Sequence, residues 1–200
     1  MKLIVLTAPS GAGKTTIARR LMAAVPGLVF SVSATTRSPR PGEAAGVDYH
    51  FLDLGDFAER LAAGDFVEHE EVYPGRFYGT LAPELERLAA ADGTRAVVLD
   101  VDVKGAASVK RLYGAQALTL FIQPPSLADL GDRLRARGTE TEEQVETRLE
   151  RAEMEMRAAP TFDAVVVNDD LDTAVAETIA RVEAFLGGEE RRETPRRETP

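Results

Sequence analysis

The chain has 200 residues, 44% hydrophobic and 28% charged, with 33 acidic against 24 basic side chains and a net charge of −9. That length suffices for one or two domains with a sizeable core, and the excess acid argues against broad binding to nucleic acid or to an anionic membrane. The chain has no cysteine, which excludes disulfides and thiolate chemistry, and no apolar run approaches the ~20 residues of a membrane span. A cytoplasmic protein is the expectation. The apolar run Leu3-Ile4-Val5-Leu6 predicts a buried strand, and Ile17, Leu21, Met22 and Val25 are spaced for a helix. Between them lies Ala8-Pro9-Ser10-Gly11-Ala12-Gly13-Lys14-Thr15-Thr16. Strand, glycine-bearing loop, Lys-Thr and helix together make a cradle for polyphosphate. Inward amides form an anion nest, the helix N-terminus adds positive potential, Lys14 reaches the β and γ phosphates, and the Thr15 hydroxyl suits Mg²⁺. Ala8 stands where the full signature has glycine, and the proline after it favours extended backbone that alanine tolerates.

Pro26-Gly27 ends the helix, and Leu28-Val29-Phe30-Ser31-Val32 reads as a second buried strand. The polar, proline-rich stretch from Ser33 to Glu43 carries Arg37 and Arg40 and reads as loop. Val47 to Leu52 alternates like a strand, Phe57 to Ala63 suggests a short helix, and Asp65 to His69 is extended. With the aromatic-flanked turn from Val72 to Thr80, these short elements look like a lobe inserted over residues 34–80. Leu81 to Ala91 is helical, and Ala96-Val97-Val98-Leu99-Asp100 is a strand ending in an acid, the usual metal-side partner of a phosphate loop. A short helix over Ala107–Leu112 and a strand over Ala117–Ile122 follow, stopped by Pro124-Pro125.

Ser126 caps a helix bearing Leu127, Leu130 and Leu134, and Thr139 or Thr141 can cap the next. Arginines at 133, 135, 137, 148, 151 and 157 flank the glycine between these helices, an arrangement suited to a lid over phosphates; a solvated charged hairpin is the plainer alternative. Ala164 to Val167 is the last strand and Leu171 to Leu186 the last helix. The sequence ends in two copies of Arg-Arg-Glu-Thr-Pro with nothing apolar to bury, so 188–200 is expected to be disordered. The pattern is α/β: about five parallel strands flanked by helices, a small α+β lobe and a helical lid. It divides as a core (1–33, 81–125 and 158–187), the lobe (34–80) and the lid (126–157). Neither composition nor motif favours a monomer over a homodimer.

The phosphate loop, Ser31 to Arg37, Pro39 to Glu43, Asp48-Tyr49-His50-Phe51, Tyr78-Gly79-Thr80, Leu99 to Asp102, Arg137 to Glu140 and Val167-Asn168-Asp169 occur in one order. In that order the chain, from residue 3 to about 186, resembles the guanylate kinase family. The resemblance implies phosphorylation of GMP, and of dGMP, by ATP with Mg²⁺. It places the acceptor on Ser33, Arg37, Arg40, Tyr49, Glu68, Tyr78, Thr80 and Asp102. Arg37, Arg40, Tyr49 and Tyr78 hold its phosphate, and Glu68 reads the adjacent donors of guanine. On the donor side it places ATP on residues 8–16 and Asn168, the metal on Thr15 and Asp100, and the charge-neutralising groups on Lys14, Arg133, Arg137 and Arg148.

Between Glu68 and Tyr78 the chain is one residue longer than the commonest family form, with Pro74-Gly75 expected to absorb it and with Glu70 and Glu71 close by as rivals to Glu68. His69 stands where the family often has tryptophan, a packing change. His50 and His69 lack a second ligand at metal-binding spacing and read as surface or packing residues. Two rival functions remain: a catalytically inactive member that binds proteins, and a kinase of a phosphorylated sugar.

Overall fold

Strands with no polar alternation must be covered on both faces, which the chain achieves by laying helices over a parallel sheet. The structure, a computed structural model, describes residues 1–136, 138 and 141–188. In chain order the elements are β1 (Leu3–Thr7), α1 (Lys14–Ala24), β2 (Leu28–Phe30), β3 (Ala34–Thr35), β4 (His50–Phe51), α2 (Leu54–Ala63), β5 (Phe66–Tyr73), β6 (Arg76–Leu81), α3 (Ala82–Ala89), β7 (Ala96–Asp100), α4 (Val103–Tyr113), β8 (Ala117–Gln123), α5 (Leu127–Ala136), α6 (Glu142–Arg157), β9 (Ala164–Val167) and α7 (Leu171–Gly187). Five strands form a parallel sheet in the order β2-β7-β1-β8-β9, and four form a smaller sheet in the order β4-β3-β6-β5. The expected α/β fold is thereby found.

By packing, the described residues form two compact units, residues 1–8 with 27–119, and residues 9–26 with those from 120 to 188. In the first, β7 pairs in parallel with β1 and with β2, and Leu3, Ile4, Val97 and Val98 are fully enclosed. The smaller sheet belongs to the same unit. Phe57 of α2 seals it, its ring centroid 4.4 Å from that of Phe66 and 5.4 Å from that of Phe77. Helix α4 packs on β5 and β1, and α3 on β6 and β7, so two helices tie the sheets together. In the second unit β8 pairs with β9, α1 packs on α7, and α5 packs on α6. Arg20 of α1 is 2.6 Å from Asp172 of α7. Leu130, Leu134, Val145 and Ala152 fill the seam between α5 and α6.

Several expectations shift at their edges: the second strand ends at Phe30, and the helix expected from Ala107 begins at Val103. The strand expected from Val47 begins only at His50, because residues 44–48 close a turn: Ala44 N–H donates to the Asp48 carboxylate at 2.8 Å, and Gly46 takes φ +77°. Within the stretch read as loop, Ala34–Thr35 forms β3, antiparallel to β6 and parallel to β4, so tertiary pairing makes a strand of residues whose composition says turn. Pro74-Gly75 does form the tight turn, but the register of β5 against β6 slips between Glu71 and Tyr73, one step before it. Helix starts follow the expected caps: Ser126 Oγ accepts from Asp129 N–H, and Thr141 forms a capping box with Gln144. The expected tail lies, from residue 189 on, outside the described residues.

Leu134 is fully buried and its side chain lies under Gly11, so it supports the glycine loop as well as the α5–α6 seam. Replacing Leu134 with Ala is expected to cost about 2–5 kcal/mol. Urea denaturation checks this, and a loss under about 1 kcal/mol would show that the seam collapses into the space.

Candidate active site

The second unit holds the glycine loop expected to cradle polyphosphate. Gly11 and Gly13 take φ of +97° and +99°, a region closed to other residues at low cost. A Cβ on Gly11 would also fall 2.9 Å from Leu134 Cδ2. Ala12 N–H donates to Pro9 O at 3.0 Å, closing the loop, and Gly13 O takes the amides of Thr16 and Ile17. Helix α1 therefore begins at Lys14, and its first amides point out of the helix end, where an anion can receive them. Lys14 is half-buried, while Thr15 and Thr16 are exposed on the first turn. No non-glycine residue has positive φ among the described residues, so Ala8 sits where glycine is not required.

Two arginines of the α5–α6 segment lean on this cradle. Arg148 donates to Ser10 Oγ, and Arg133 donates to the main-chain oxygen of Asn168 at 2.8 Å. Asn168 is itself buried and donates through Nδ2 to Ala12 O at 2.8 Å. Arg137 lies outside the described residues.

The first unit holds the expected acceptor residues. Arg37 is nearly enclosed, its side chain 9% exposed, and it lies 5.0 Å over the Tyr49 ring. Tyr49 and Tyr78 meet edge to face at 5.9 Å. The two terminal nitrogens of Arg37 donate to the two oxygens of Glu43, both at 2.6 Å, while its Nε is buried and unpartnered. Arg40 presents an exposed side chain and gives its main-chain N–H to Glu43 at 2.7 Å. The Arg37 pair, and then the Arg40 amide, pull the Glu43 carboxyl down to about 2, so this pair is ionised at any physiological pH. Ser33, on the strand-side loop before β3, is half-buried and its carbonyl accepts from His50 N–H.

Glu68 is the one buried carboxylate in this region, 9% exposed, facing Thr80 across β5 and β6. Thr80 Oγ1 donates to Glu68 Oε1 at 2.6 Å. Its rivals have other work: Glu70 is 2.5 Å from Lys104 Nζ, and Glu71 accepts the Gly75 amide at 2.7 Å. Burial pushes the Glu68 carboxyl up to about 7, the Thr80 hydrogen bond opposes this, and the neighbouring charge of Asp102 adds to it. Asp102 caps α4, accepting the Gly105 amide at 2.8 Å. Asp100 closes β7, half-buried. Gly105 presses directly on Glu68, since a Cβ there would meet Glu68 Oε2 at 2.8 Å. Glu43, Lys104 and Gly105 were assigned no role by sequence reasoning. Glu43 lay inside a quoted motif, but nothing in the pattern says which arginine it would clamp, and the fit of Gly105 to Glu68 exists only across two elements.

A family model described as guanylate kinase matches residues 1–185. A guanylate kinase of Salinibacter ruber is 59% identical over 184 residues, 92% of this chain and 96% of that protein. The chain belongs to the guanylate kinase family. A second member, from Bacteroides fragilis, is 49% identical over 93% of this chain and 90% of its own length. Among solved structures, a guanylate kinase from Anaplasma phagocytophilum superposes with a TM-score of 0.69 at 32% identity, covering 94% of this chain and 85% of that one. Like the guanylate kinase of Anaplasma phagocytophilum, the chain is an α/β protein. Among the described residues no helix is long and apolar enough to cross a membrane, and no three His, Asp or Glu side chains gather to hold a metal ion.

In the ligand-free protein the Glu68 carboxyl is expected to titrate near 7, and Thr80→Val, which removes the opposing hydrogen bond, to move it higher. Carbon-13 NMR of the glutamate carboxyls reads both. Because the folded value exceeds the ordinary 4.5, the contribution to stability is complete below about 4.5 and is lost as pH rises towards 7. A titration at the ordinary glutamate value in both proteins would contradict this.

Proposed function

We propose that this guanylate kinase family member transfers the γ-phosphoryl group of ATP to GMP, and to dGMP, giving ADP and the nucleoside diphosphate. The observation that carries the choice of acceptor is Glu68, buried, hydrogen-bonded to Thr80 and backed by Gly105. Guanine offers N1–H and N2–H₂ as adjacent donors, and an ionised carboxylate offers two acceptors. Adenine would set a lone pair at N1 against the same oxygen. A site built on such hydrogen bonds rejects the wrong base by roughly 10⁴. Ser33, Thr80 and Asp102 complete the base contacts, and Arg37, Arg40, Tyr49 and Tyr78 receive the phosphate. Glu43 and the Ser38 carbonyl take the terminal nitrogens of Arg37, while its buried Nε is unpartnered.

ATP is assigned to residues 8–16, with inward amides and Lys14 on its phosphates and Asn168 near its adenine. Magnesium keeps most of its waters and takes only one or two protein oxygens beside the nucleotide phosphates. The Thr15 hydroxyl and the Asp100 carboxylate supply hard oxygen donors of that kind, and the ion would neutralise phosphate charge. No general base is needed, because alignment and charge neutralisation carry phosphoryl transfer. Arg133, Arg137 and Arg148 supply that neutralisation from a lid over 126–157, with 34–80 as the acceptor lobe and 1–33, 81–125 and 158–187 as the core. We place the enzyme in the cytoplasm. Lys14, Thr15, Asp100, Arg133 and Arg148 are all retained, which speaks against an inactive binding module, and a sugar-phosphate kinase has no use for a buried Glu68-Thr80 pair.

Turnover with GMP, AMP, UMP and a sugar phosphate, followed by ADP release, tests the assignment. GMP is expected to exceed the others by at least ~10³ in kcat/KM; equal rates would overturn it. Glu68→Gln is expected to raise the GMP KM at least ~tenfold while leaving the ATP KM within about twofold. Guanine requires the ionised carboxylate, so wild-type GMP affinity is expected to fall as pH drops below about 7. Phosphate itself titrates near ~6, so the Glu68 contribution is the part of the slope that Glu68→Gln removes.

A further inference from the structure

The phosphate loop poses a geometric problem that its own residues do not solve. A trans peptide is planar, so the carbonyl of Ala12 and the amide of Gly13 point in opposite directions. The Gly13 amide faces inward only while the Ala12 carbonyl faces outward, into protein. Glycine at 13 makes this peptide easy to rotate, and a buried carbonyl without a donor is costly. Asn168 meets both demands. It is 6% exposed, at the end of β9, with its own N–H held by Gln123 O at 2.8 Å, and its Nδ2 donates to Ala12 O at 2.8 Å. The fit is tight, since a Cβ on Gly13 would fall 2.3 Å from that nitrogen. The main-chain oxygen of the same residue accepts Arg133 at 2.8 Å.

We propose that Asn168 is a positioning residue for the phosphate loop, its carboxamide locking the Ala12–Gly13 peptide so that the Gly13 amide is presented to the triphosphate. This role rests on reading residues 8–16 as the phosphate loop and differs from an adenine contact, because it acts on phosphate alone. The Arg133 contact places a charge-neutralising arginine on the same anchor point, so the loop and that arginine share one support.

Inorganic tripolyphosphate with magnesium is the probe, since it has no base. Its affinity, and those of ATP and GMP, are measured by calorimetry for the wild type, for Asn168→Leu, which lacks the donor, and for Asn168→Asp, which sets an acceptor against the Ala12 carbonyl. Both variants are expected to lose at least ~tenfold in tripolyphosphate affinity and at least as much in ATP affinity, with GMP affinity within about twofold. Loss of ATP affinity with tripolyphosphate unchanged would overturn the proposal in favour of an adenine contact. Unchanged binding of both would overturn it outright, and so would GMP affinity falling in step, which marks general loss of structure. A wild type that does not bind tripolyphosphate overturns the phosphate-loop reading itself, and this role with it.

Discussion

A loop that turns its amides towards an anion must turn its carbonyls the other way, and those carbonyls then need donors from the protein behind them. Much of the second unit answers that demand. Gly11 and Gly13 adopt the left-handed backbone that reverses successive peptides, and Leu130 and Leu134 close against the glycine where no side chain fits. Asn168 supplies the donor to Ala12, and α1 packs on α7, with the Arg20–Asp172 pair at its exposed edge. The supports of the glycine loop therefore come from residues far from it in sequence.

The first unit solves a different problem, the burial of charge. Arg37 is enclosed among Tyr49, Phe51 and Tyr78, and stays there because Glu43 matches its fork with two short hydrogen bonds and is itself held by the Arg40 amide. Among the described residues the hydrogen-bond partner of the Glu68 carboxylate is the Thr80 hydroxyl. A carboxyl so placed holds its proton more firmly than usual, and a ligand that brings two N–H donors gives the charged form the partners it lacks. A protein of net charge −9 can in this way still bind anionic nucleotides, because the cations that matter are few and locally clamped.

The glycine loop, the buried strands and the helix caps were legible because each is a local statement: an apolar run, a glycine spacing, a Ser or Thr ahead of a helical pattern. Ser126 and Thr141 cap their helices for reasons contained within four residues. Less was legible in the lobe. Strand β3 exists only because β4 and β6 flank it, and the slip between Glu71 and Tyr73 depends on how β5 meets β6. Three glutamates at 68, 70 and 71 look alike in sequence, yet each takes a separate partner once α4 and β6 are in place.

By itself, then, the sequence determined the order of elements, the family pattern, and which residue types are available to hold phosphates and guanine. Only the tertiary structure decided which acid is buried, which carboxylate clamps Arg37, and which side chain supports the Ala12 carbonyl. Those outcomes turn on contacts between residues such as Asn168 and Ala12, which are 156 positions apart. Burial and hydrogen-bond geometry at such separations are set by packing, and no local pattern along the chain encodes them.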